Sequence, residues 1–325
     1  MLASIVAVIV AVLALCLAGL ASYAWLTARR VERAVPPIGR FVEVGGARLH
    51  YVDRGAGPPV VMIHGIAGNL RHYTHTILDE IAKTNRAIAI DRPGCGYSGM
   101  PRGADNSTQT QAAIVQMALD RLGVVDPLIV GHSLGGSVAL AHALLYPDKA
   151  RGYVLIAPLA APPEMKPPFD RWYITSRLRQ RLIAWTIGIP LAIKYGPALT
   201  DFVFAPQSPP KDFGTASGAL LGLRPKAIIN NFRDAVAAPI TAEEIYTRYA
   251  EIDAPVHCLF GIDDQVLDAE LNLAPLAAMR AAEIQLIDGA GHMLMHVEPA
   301  SVTAAVRQMD ARTRTAHVPR AAASS

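Results

Sequence analysis

One ten-residue stretch, Leu128 to Ser137, constrains the fold more than any other part of the chain. It reads Leu-Ile-Val-Gly-His-Ser-Leu-Gly-Gly-Ser, so an apolar run leads into Gly-x-Ser-x-Gly and small residues follow. This pattern predicts a buried strand, a very tight turn centred on Ser133, and a helix. Gly131 and Gly135 suit such a turn because they carry no Cβ that could collide with the neighbouring chain. The turn would expose the Ser133 hydroxyl and point backbone N–H groups at the space above it.

Short apolar runs alternate with helix-like segments on both sides of this turn. Strands are predicted at 41–44, 48–52, 59–63, 87–90, 128–130, 153–156, 255–260 and 283–287, and helices at 109–122, from the turn to about 146, at 271–282 and at 300–309. A Gly-Gly turn joins the first two strands, and most later strands end in glycine-rich loops. The alternation predicts an α/β fold with a mostly parallel, doubly wound sheet. In such a sheet the functional residues gather at the carboxyl ends of the strands.

The segment 158–240 differs in composition from the rest of the chain: it is rich in proline and arginine and shows no clear strand. This change predicts an inserted helical cap. The predicted domain limits are an anchor at 1–28, a linker at 29–40, the α/β core at 41–157 and 241–311, the cap at 158–240 and a flexible tail at 312–325. Within the cap, arginines and apolar residues are mixed between Trp172 and Tyr195. Two interpretations stay open: a helix packed on the core with its arginines in water, or an amphipathic helix on anionic lipid.

The N-terminal segment from Leu2 to Leu26 contains no charged residue. A helix of that length spans a hydrocarbon layer of about 30 Å, which predicts a transmembrane anchor that contacts lipid through residues 2–26. A cleavable signal peptide is the alternative, but the apolar run is too long and no Lys or Arg precedes it. Arg29, Arg30 and Arg33 follow directly, so the positive-inside rule predicts a membrane protein whose catalytic domain is cytoplasmic.

Composition excludes several other classes of protein. The formal net charge is only +3 and no Lys/Arg block stands out, so no nucleic-acid partner is expected. The three cysteines are too few and too scattered for a disulfide framework or a metal site. His292 and His296 have helical spacing, but no third metal ligand accompanies them. We therefore expect no metal and no organic cofactor.

A serine hydroxyl becomes a good nucleophile only when a base takes its proton and an acid orients that base. The candidates occur in the order Ser133, Asp264, His292, and the last two follow apolar strands in positions from which they could reach Ser133. Asp263 stays open as an alternative acid, although its spacing from Gly261 is less favourable. Other polar residues near these loops are expected to support them: His64 at the loop after the third strand, His132 under the turn, and Asp91 with Arg92 as braces.

On these motifs, the chain from Phe41 to Asp310 resembles the α/β-hydrolase superfamily. The matching pieces are His64-Gly65, Asp91-Arg92-Pro93-Gly94-x-Gly96-x-Ser98, Gly131-x-Ser133-x-Gly135, Gly261-x-x-Asp264 and Gly291-His292. The resemblance implies an α/β-hydrolase fold in which Ser133 is the nucleophile, His292 the general base and acid, and Asp264 the residue that orients His292. It also implies an oxyanion hole made by the backbone N–H groups of Ile66 and Leu134, with His64, Gly65, Gly131 and Gly135 as supporting positions.

The resemblance implies a serine hydrolase of the esterase and lipase type that acts through an acyl-enzyme. With the predicted anchor it becomes a membrane-anchored hydrolase, and the apolar residues of the cap and loops predict an apolar ester as its substrate. Haloalkane dehalogenases and soluble epoxide hydrolases are similar around Asp91–Ser98, but they use an aspartate where this chain has Ser133. Cofactor-free haloperoxidases, carbon–carbon bond hydrolases and acyltransferases share the same three residues and stay open. A non-catalytic receptor or scaffold is the alternative from another class of protein.

Overall fold

The strands lie close to the positions that the apolar runs predict. The computed structural model describes residues 1–163 and 167–316, and those residues form one eight-stranded sheet. Its strands are β1 (Arg40–Val44), β2 (Ala47–Arg54), β3 (Pro59–Ile63), β4 (Arg86–Ile90), β5 (Leu128–His132), β6 (Gly152–Ile156), β7 (Val256–Gly261) and β8 (Ala282–Ile287). Their order across the sheet is β1-β2-β4-β3-β5-β6-β7-β8. The pairs β1–β2 and β2–β4 are antiparallel and the others are parallel, which confirms the mostly parallel sheet.

Both faces of the sheet are covered by apolar packing. Successive side chains of a strand point to opposite faces, so in β3 Val61 and Ile63 join one hydrophobic layer while Val60 and Met62 join the other. Strands buried on both faces are apolar throughout, which explains why the sequence shows continuous runs here and little alternation. Because β3 to β8 are parallel, their carboxyl ends meet at one edge of the sheet, where the predicted site residues lie.

The helices flank this sheet and fill its crossovers. They are α1 (Leu2–Ala34), α2 (Arg71–Thr74), α3 (Leu78–Ile81), α4 (Thr108–Arg121), α5 (Leu134–Leu145), α6 (Arg177–Trp185), α7 (Gly188–Phe204), α8 (Pro225–Ile245), α9 (Ala269–Ala277), α10 (Leu294–Val297) and α11 (Pro299–Ala316). The predicted helices at 109–122 and after the serine turn agree with α4 and α5. The helix predicted at 271–282 ends earlier, at Ala277, because the chain must turn into β8, which pairs with β7 along its whole length.

A helical cap is inserted between β6 and β7, as the change in amino-acid composition after residue 157 predicts. The cap contains α6, α7, most of α8 and two short 3-10 helices. A third 3-10 helix follows α8, and no strand occurs among the described residues of 157–255. Its last helix, α8, passes the predicted boundary at residue 240 and continues to Ile245. It continues because Ala242 and Ile245 are buried at the core end of the helix. α8 therefore belongs to both the cap and the core.

Two terminal predictions need correction. The predicted linker at 29–40 begins inside a helix, since α1 continues to Ala34. That extension is stabilised because Val31 and Val35 are buried against Leu221 of the cap. The tail predicted at 312–325 also begins inside a helix, since α11 continues to Ala316 with the Thr313 side chain buried. The remaining positions, 317–325, lie outside the described residues.

Candidate active site

The turn after β5 has the geometry that its glycines predict. Ser133 has φ 53° and ψ −121°, a left-handed conformation that side-chain-bearing residues seldom adopt. A Cβ on Gly131 would lie 2.4 Å from the Gly135 carbonyl oxygen, and a Cβ on Gly135 would lie 2.2 Å from the carbonyl oxygen of Ile63. Such backbone strain is typical of functional sites, where the surrounding structure holds a side chain in one exact orientation. The hydroxyl of Ser133 is thereby held at the carboxyl edge of the sheet.

The loop after β3 comes close to this turn. A Cβ on Gly65 would lie 3.0 Å from the Ser133 Cβ, which is tighter than most real Cβ contacts, so the glycine helps the loop to approach the turn this closely. Ile66 follows in the same loop, and Leu134 begins helix α5. Among the described residues, the backbone N–H groups of Ile66 and Leu134 have no acceptor. An oxyanion hole requires two unpaired N–H groups, so both groups remain available for the role that the sequence motifs imply.

The loops after β7 and β8 bring a carboxylate and an imidazole together. Nδ1 of His292 donates a hydrogen bond to Asp264 Oδ2 at 2.7 Å, and both side chains are buried. The other carboxylate oxygen accepts the N–H groups of Val266 at 2.8 Å and Leu267 at 3.0 Å. Asp263 is exposed and makes no such contact with His292. The geometry therefore favours Asp264 over Asp263 as the partner of His292.

His132 links the histidine loop to the serine turn. It precedes Ser133, its Nε2 donates to the His292 carbonyl oxygen at 3.2 Å, and the two imidazole centroids are 4.8 Å apart. Burial, followed by the nearby His292, lowers the pKa of His132 well below its ordinary value. Its Nδ1 is buried without a partner among the described residues. His132 is therefore a neutral group that packs under the turn, in agreement with the sequence interpretation.

His64 contacts the loop that carries Ile66. Its Nδ1 donates to the adjacent Gly65 carbonyl oxygen at 2.8 Å, and its Nε2 accepts the backbone N–H of Arg92 at 3.0 Å. Burial and then the positive charge of Arg92 lower the pKa of His64 to about 3. Both ring nitrogens are occupied and the ring is neutral at pH 7. These contacts suit a supporting residue and leave no nitrogen for proton transfer.

The structure reveals a polar network that the sequence interpretation missed. The side chain of Arg92 is completely buried and donates to the carbonyl oxygens of His64 at 2.9 Å and Gly65 at 3.1 Å. It also forms an ion pair of 2.9 Å with Asp234, which is equally buried on α8. Asn106 donates to the same Asp234 carboxylate at 2.7 Å. The network therefore ties the cap to the loop of Ile66. Arg92 and Asp234 are 142 positions apart, and no motif connects them.

Apolar side chains surround the Ser133 region. Leu134, Leu159 and Ala238 form one buried cluster, and Ile66 and Leu267 pack against it. These residues come from five separate parts of the fold: the Ile66 loop, α5, the segment after β6, α8 and the loop after β7. The sequence interpretation used only the general apolar character of the cap and loops. The individual residues could not be identified without the fold.

The remaining candidates have structural surroundings. His296 packs against Phe204 and Phe213, with ring centroids at 5.5 and 5.3 Å, and does not pair with His292. Among the described residues, no group of three or more His, Cys, Asp and Glu side chains could hold a metal ion. Burial raises the pKa of the Cys95 thiol to about 12 despite the nearby Arg92, so the thiol is not activated.

Comparison with known proteins agrees with this fold. The family model for the alpha/beta hydrolase fold matches residues 58–299, which include Ser133, Asp264 and His292. This match covers most of the chain, and the protein therefore belongs to the alpha/beta hydrolase fold family. Membership supports a hydrolase activity and confirms the superfamily that the sequence motifs resemble.

Individual relatives have different activities. The chain is 36% identical over 123 residues to the 2-hydroxymuconate semialdehyde hydrolase of Pseudomonas sp. (strain CF600), an alignment that covers 37% of this chain and only 44% of that enzyme. It is 26% identical over 267 residues to the 2-hydroxy-6-oxo-2,4-heptadienoate hydrolase of Pseudomonas putida, covering 78% of this chain and 90% of that enzyme. The crystal structure of a membrane phospholipase A superposes with a TM-score of 0.63 at 22% identity, over 96% of this chain and 97% of that one. At this identity, the last likeness concerns the fold.

Proposed function

We propose that this protein is a membrane-anchored serine hydrolase that cleaves a carboxylic ester through Ser133, His292 and Asp264. The observation that carries the proposal is the hydrogen bond between the buried Asp264 carboxylate and Nδ1 of His292. The bond leaves Nε2 of His292 as the basic nitrogen of the ring. Nucleophilic catalysis by serine needs a base with this orientation, and the His292 loop contacts His132, which directly precedes Ser133 on its strained turn.

In the proposed first step, Ser133 Oγ attacks the ester carbonyl carbon while Nε2 of His292 takes the hydroxyl proton. The Asp264 carboxylate stabilises the imidazolium that forms. The carbonyl oxygen becomes an oxyanion, which accepts hydrogen bonds from the N–H groups of Ile66 and Leu134. When the tetrahedral intermediate collapses, the bond to the alcohol oxygen breaks and His292 returns its proton to that oxygen. The alcohol leaves and an acyl-Ser133 ester remains.

In the second step, a water molecule takes the place of the alcohol. His292 removes a proton from the water as its oxygen attacks the acyl carbon, and the same two N–H groups stabilise the second oxyanion. Collapse breaks the bond to Ser133 Oγ, which recovers its proton from His292. The products are a carboxylic acid and the free enzyme. These steps require no cofactor.

The apolar cluster supports a substrate with an apolar acyl or alcohol part. Leu134, Leu159 and Ala238 are buried together, and Ile66 and Leu267 pack against them. Burying methylene groups of a substrate on such side chains is favourable by about 0.8 kcal/mol for each group. We therefore propose a small-molecule apolar ester as the substrate.

Carbon–carbon bond hydrolysis is the second candidate. The two Pseudomonas relatives described above are named as such hydrolases, and one of them aligns over 78% of this chain. A dienoate substrate is an anion and needs a cationic partner at the site. Arg92 donates to the Gly65 carbonyl oxygen next to Ile66, and its guanidinium is already paired with Asp234 in a fully buried contact. This commitment of Arg92 favours a neutral ester over an anionic dienoate.

Hydrolysis of p-nitrophenyl esters by the full-length protein in detergent micelles tests the proposal. The series of acyl groups runs from acetate to palmitate, and a 2-hydroxy-6-oxodienoate is measured in parallel. We expect ester hydrolysis with an optimum at a medium or long acyl chain, and a loss of about 10³-fold or more in Ser133→Ala. Preferential cleavage of the dienoate would support the second candidate. Full esterase activity in Ser133→Ala would disprove the proposed nucleophile.

We further propose that α1 anchors the protein in a membrane. Among the described residues, α1 is the only unbroken helix that is long and apolar enough to cross a bilayer. The most apolar stretch of α1 is not buried in the protein. A signal sequence meets the same test. The membrane phospholipase A structure covers 96% of the chain, a span that includes at least part of α1. The arginines after the apolar run support a cytoplasmic catalytic domain. A reporter fused after Ser325 and assayed on both sides of the membrane tests this topology.

A further inference from the structure

Helices α6 and α7 meet at a sharp corner that carries a large exposed apolar surface. The two helix axes differ by 79°. We define the corner surface as the exposed apolar side chains of Leu178, Leu182, Trp185, Ile187, Leu191, Ile193 and Tyr195. Leu178 is 77% exposed, although a leucine of a soluble helix usually turns toward the core. An exposed apolar patch of this kind indicates an interaction surface.

The corner surface lies where α1 leaves the globular part of the protein. Ala24 of α1 is buried in one cluster with Ala184 of α6 and Ile189 of α7. The part of α1 before Ala24 does not pack on the globular part. Its large apolar side chains from Leu2 to Leu17 are exposed. At 1.5 Å per residue, the part of α1 before Ala24 is about 33 Å long, close to the thickness of a hydrocarbon core. If α1 spans a bilayer, the corner surface is therefore at the surface of that bilayer.

The charge around the corner fits an anionic lipid surface. Residues 171–200 include four arginines and one lysine and no acidic residue. Arg177, Arg179 and Arg181 of α6 are all exposed. Each basic side chain near an anionic membrane surface adds to the electrostatic attraction between protein and lipid. Trp185 and Tyr195 are of the residue types that concentrate at the boundary between headgroups and acyl chains.

We infer that the corner surface is embedded in the headgroup layer of the bilayer that α1 spans, with its basic side chains on anionic lipid headgroups. The inference rests on the proposed membrane anchoring by α1 and does not depend on the hydrolytic reaction. A second copy of the chain is a poorer occupant, because a two-fold contact through this surface would bring the same arginines of both copies together.

This location has a consequence for the cap. Helix α8 packs against α6 and carries Ala238, which belongs to the apolar cluster around the Ser133 region. The bilayer surface and the candidate active site are thus connected through two packed helices. An apolar substrate dissolved in the membrane would reach the cap without passing through bulk water.

Tryptophan fluorescence tests the inference, because the chain has only three tryptophans. Full-length protein with Trp25→Phe and Trp172→Phe retains Trp185 as its one reporter. It is reconstituted in nanodiscs of phosphatidylcholine and phosphatidylglycerol, in which the acyl chains are either plain or brominated near the headgroup. We expect brominated lipid to reduce the Trp185 emission by roughly half, as for a side chain at the interface.

A matched control places the reporter far from the corner. In the same background, Trp185→Phe is combined with Val125→Trp; Val125 is 77% exposed and precedes β5, at the opposite edge of the sheet. Brominated lipid should leave this reporter unchanged, while aqueous acrylamide should quench it. Equal quenching of both reporters by brominated lipid would overturn the inference. So would a Trp185 that lipid does not quench but that is shielded from acrylamide, because another protein surface would then cover the corner.

A third comparison tests whether the basic side chains of α6 contact anionic lipid headgroups. Changing Arg177, Arg179 and Arg181 to glutamine should reduce the Trp185 quenching in discs that contain phosphatidylglycerol, and much less in discs of phosphatidylcholine alone. Equal quenching in both lipids before and after the change would contradict a role for anionic headgroups. Co-elution of protein and discs reports anchoring by α1 separately, and ester hydrolysis reports the proposed reaction. A chain that stays in the discs with an unquenched Trp185 would overturn this inference alone.

Discussion

Nδ1 of His292 lies 2.7 Å from Oδ2 of Asp264, and the Asp264 side chain is completely shielded from solvent. The remaining oxygen of the carboxylate accepts two backbone N–H groups of its own loop. The carboxylate is therefore held on both oxygens, and its direction is decided by the loop after β7. This rigidity orients the imidazole and fixes the tautomer in which Nε2 carries the free lone pair.

Replacing Asp264 with asparagine should preserve the shape of the site and remove its charge. The amide can still bond to His292, but it favours the wrong tautomer, so we expect kcat for p-nitrophenyl esters to fall by about 10³- to 10⁴-fold. Asp263→Asn is the matched control, because the Asp263 side chain is exposed next to Asp264. Its activity should remain close to that of the wild type. A larger loss in Asp263→Asn than in Asp264→Asn would reverse the assignment.

The serine turn should not tolerate a methyl group at Gly135. The new Cβ would lie 2.2 Å from the Ile63 carbonyl oxygen, a contact that only a backbone shift can relieve. We expect Gly135→Ala to lose at least about 2 kcal/mol of stability. Gly222→Ala is the control, because its Cβ would meet no atom within 4 Å. Thermal unfolding in detergent micelles, monitored by circular dichroism, compares the two. Equal midpoints would show that the turn is looser than the structure indicates.

The buried ion pair between Arg92 and Asp234 should be costly to break. Asp234→Asn leaves the Arg92 guanidinium without its counter-charge in a fully buried location, and we expect a loss of about 3–5 kcal/mol in the free energy of unfolding. The exposed pair of Arg248 and Glu251 provides a control, and Glu251→Gln should change the free energy of unfolding very little, because water screens an exposed ion pair. Urea denaturation measures both. Similar losses in the two variants would mean that water reaches Arg92.

Acid should destabilise the folded protein through its buried histidines. Burial lowers the pKa of His142 to about 4, compared with the ordinary value of 6.5 in the unfolded chain. The stability that depends on the neutral ring is complete above pH 6.5 and is lost as the pH falls toward 4, because only the unfolded state takes up the proton. At pH 4.5 the loss from this residue is on the order of 2–3 kcal/mol.

His142→Gln tests this prediction, since its ring bonds to Gln116 and Tyr153, away from the candidate site. The free energy of unfolding is measured by urea denaturation at pH 7 and pH 4.5. The variant should lose about 2 kcal/mol less than the wild type between these two values. An identical pH dependence in both proteins would show that His142 is protonated in the folded state. Activity at pH 7 serves as the check that the variant is folded.

Much of the fold could be predicted because its signals are local. The apolar runs of β3 and β5 are followed directly by the glycine-containing turns that the structure requires. The Gly-x-Ser-x-Gly pattern already shows that Gly131 must be a glycine, because its neighbour Gly135 lies only four residues away. The corrections fall at the ends of helices. The helix propensity of residues 29–34 does not by itself predict where α1 ends. Burial of Val31 against a distant part of the chain extends the helix past the predicted boundary.

The sequence by itself determined the strand–turn–helix around Ser133, the fold class, and the short list that contained Asp264 and His292. These follow from spacing and side-chain type, which act within a few residues of one another. Only the tertiary structure decided that Asp264 and not Asp263 faces His292, and that Arg92 is paired with Asp234. The same is true of the contact between Ala24 and the α6–α7 corner. These contacts join residues that are far apart in the chain, and a buried charge or an exposed leucine can be recognised only when its neighbours are in position.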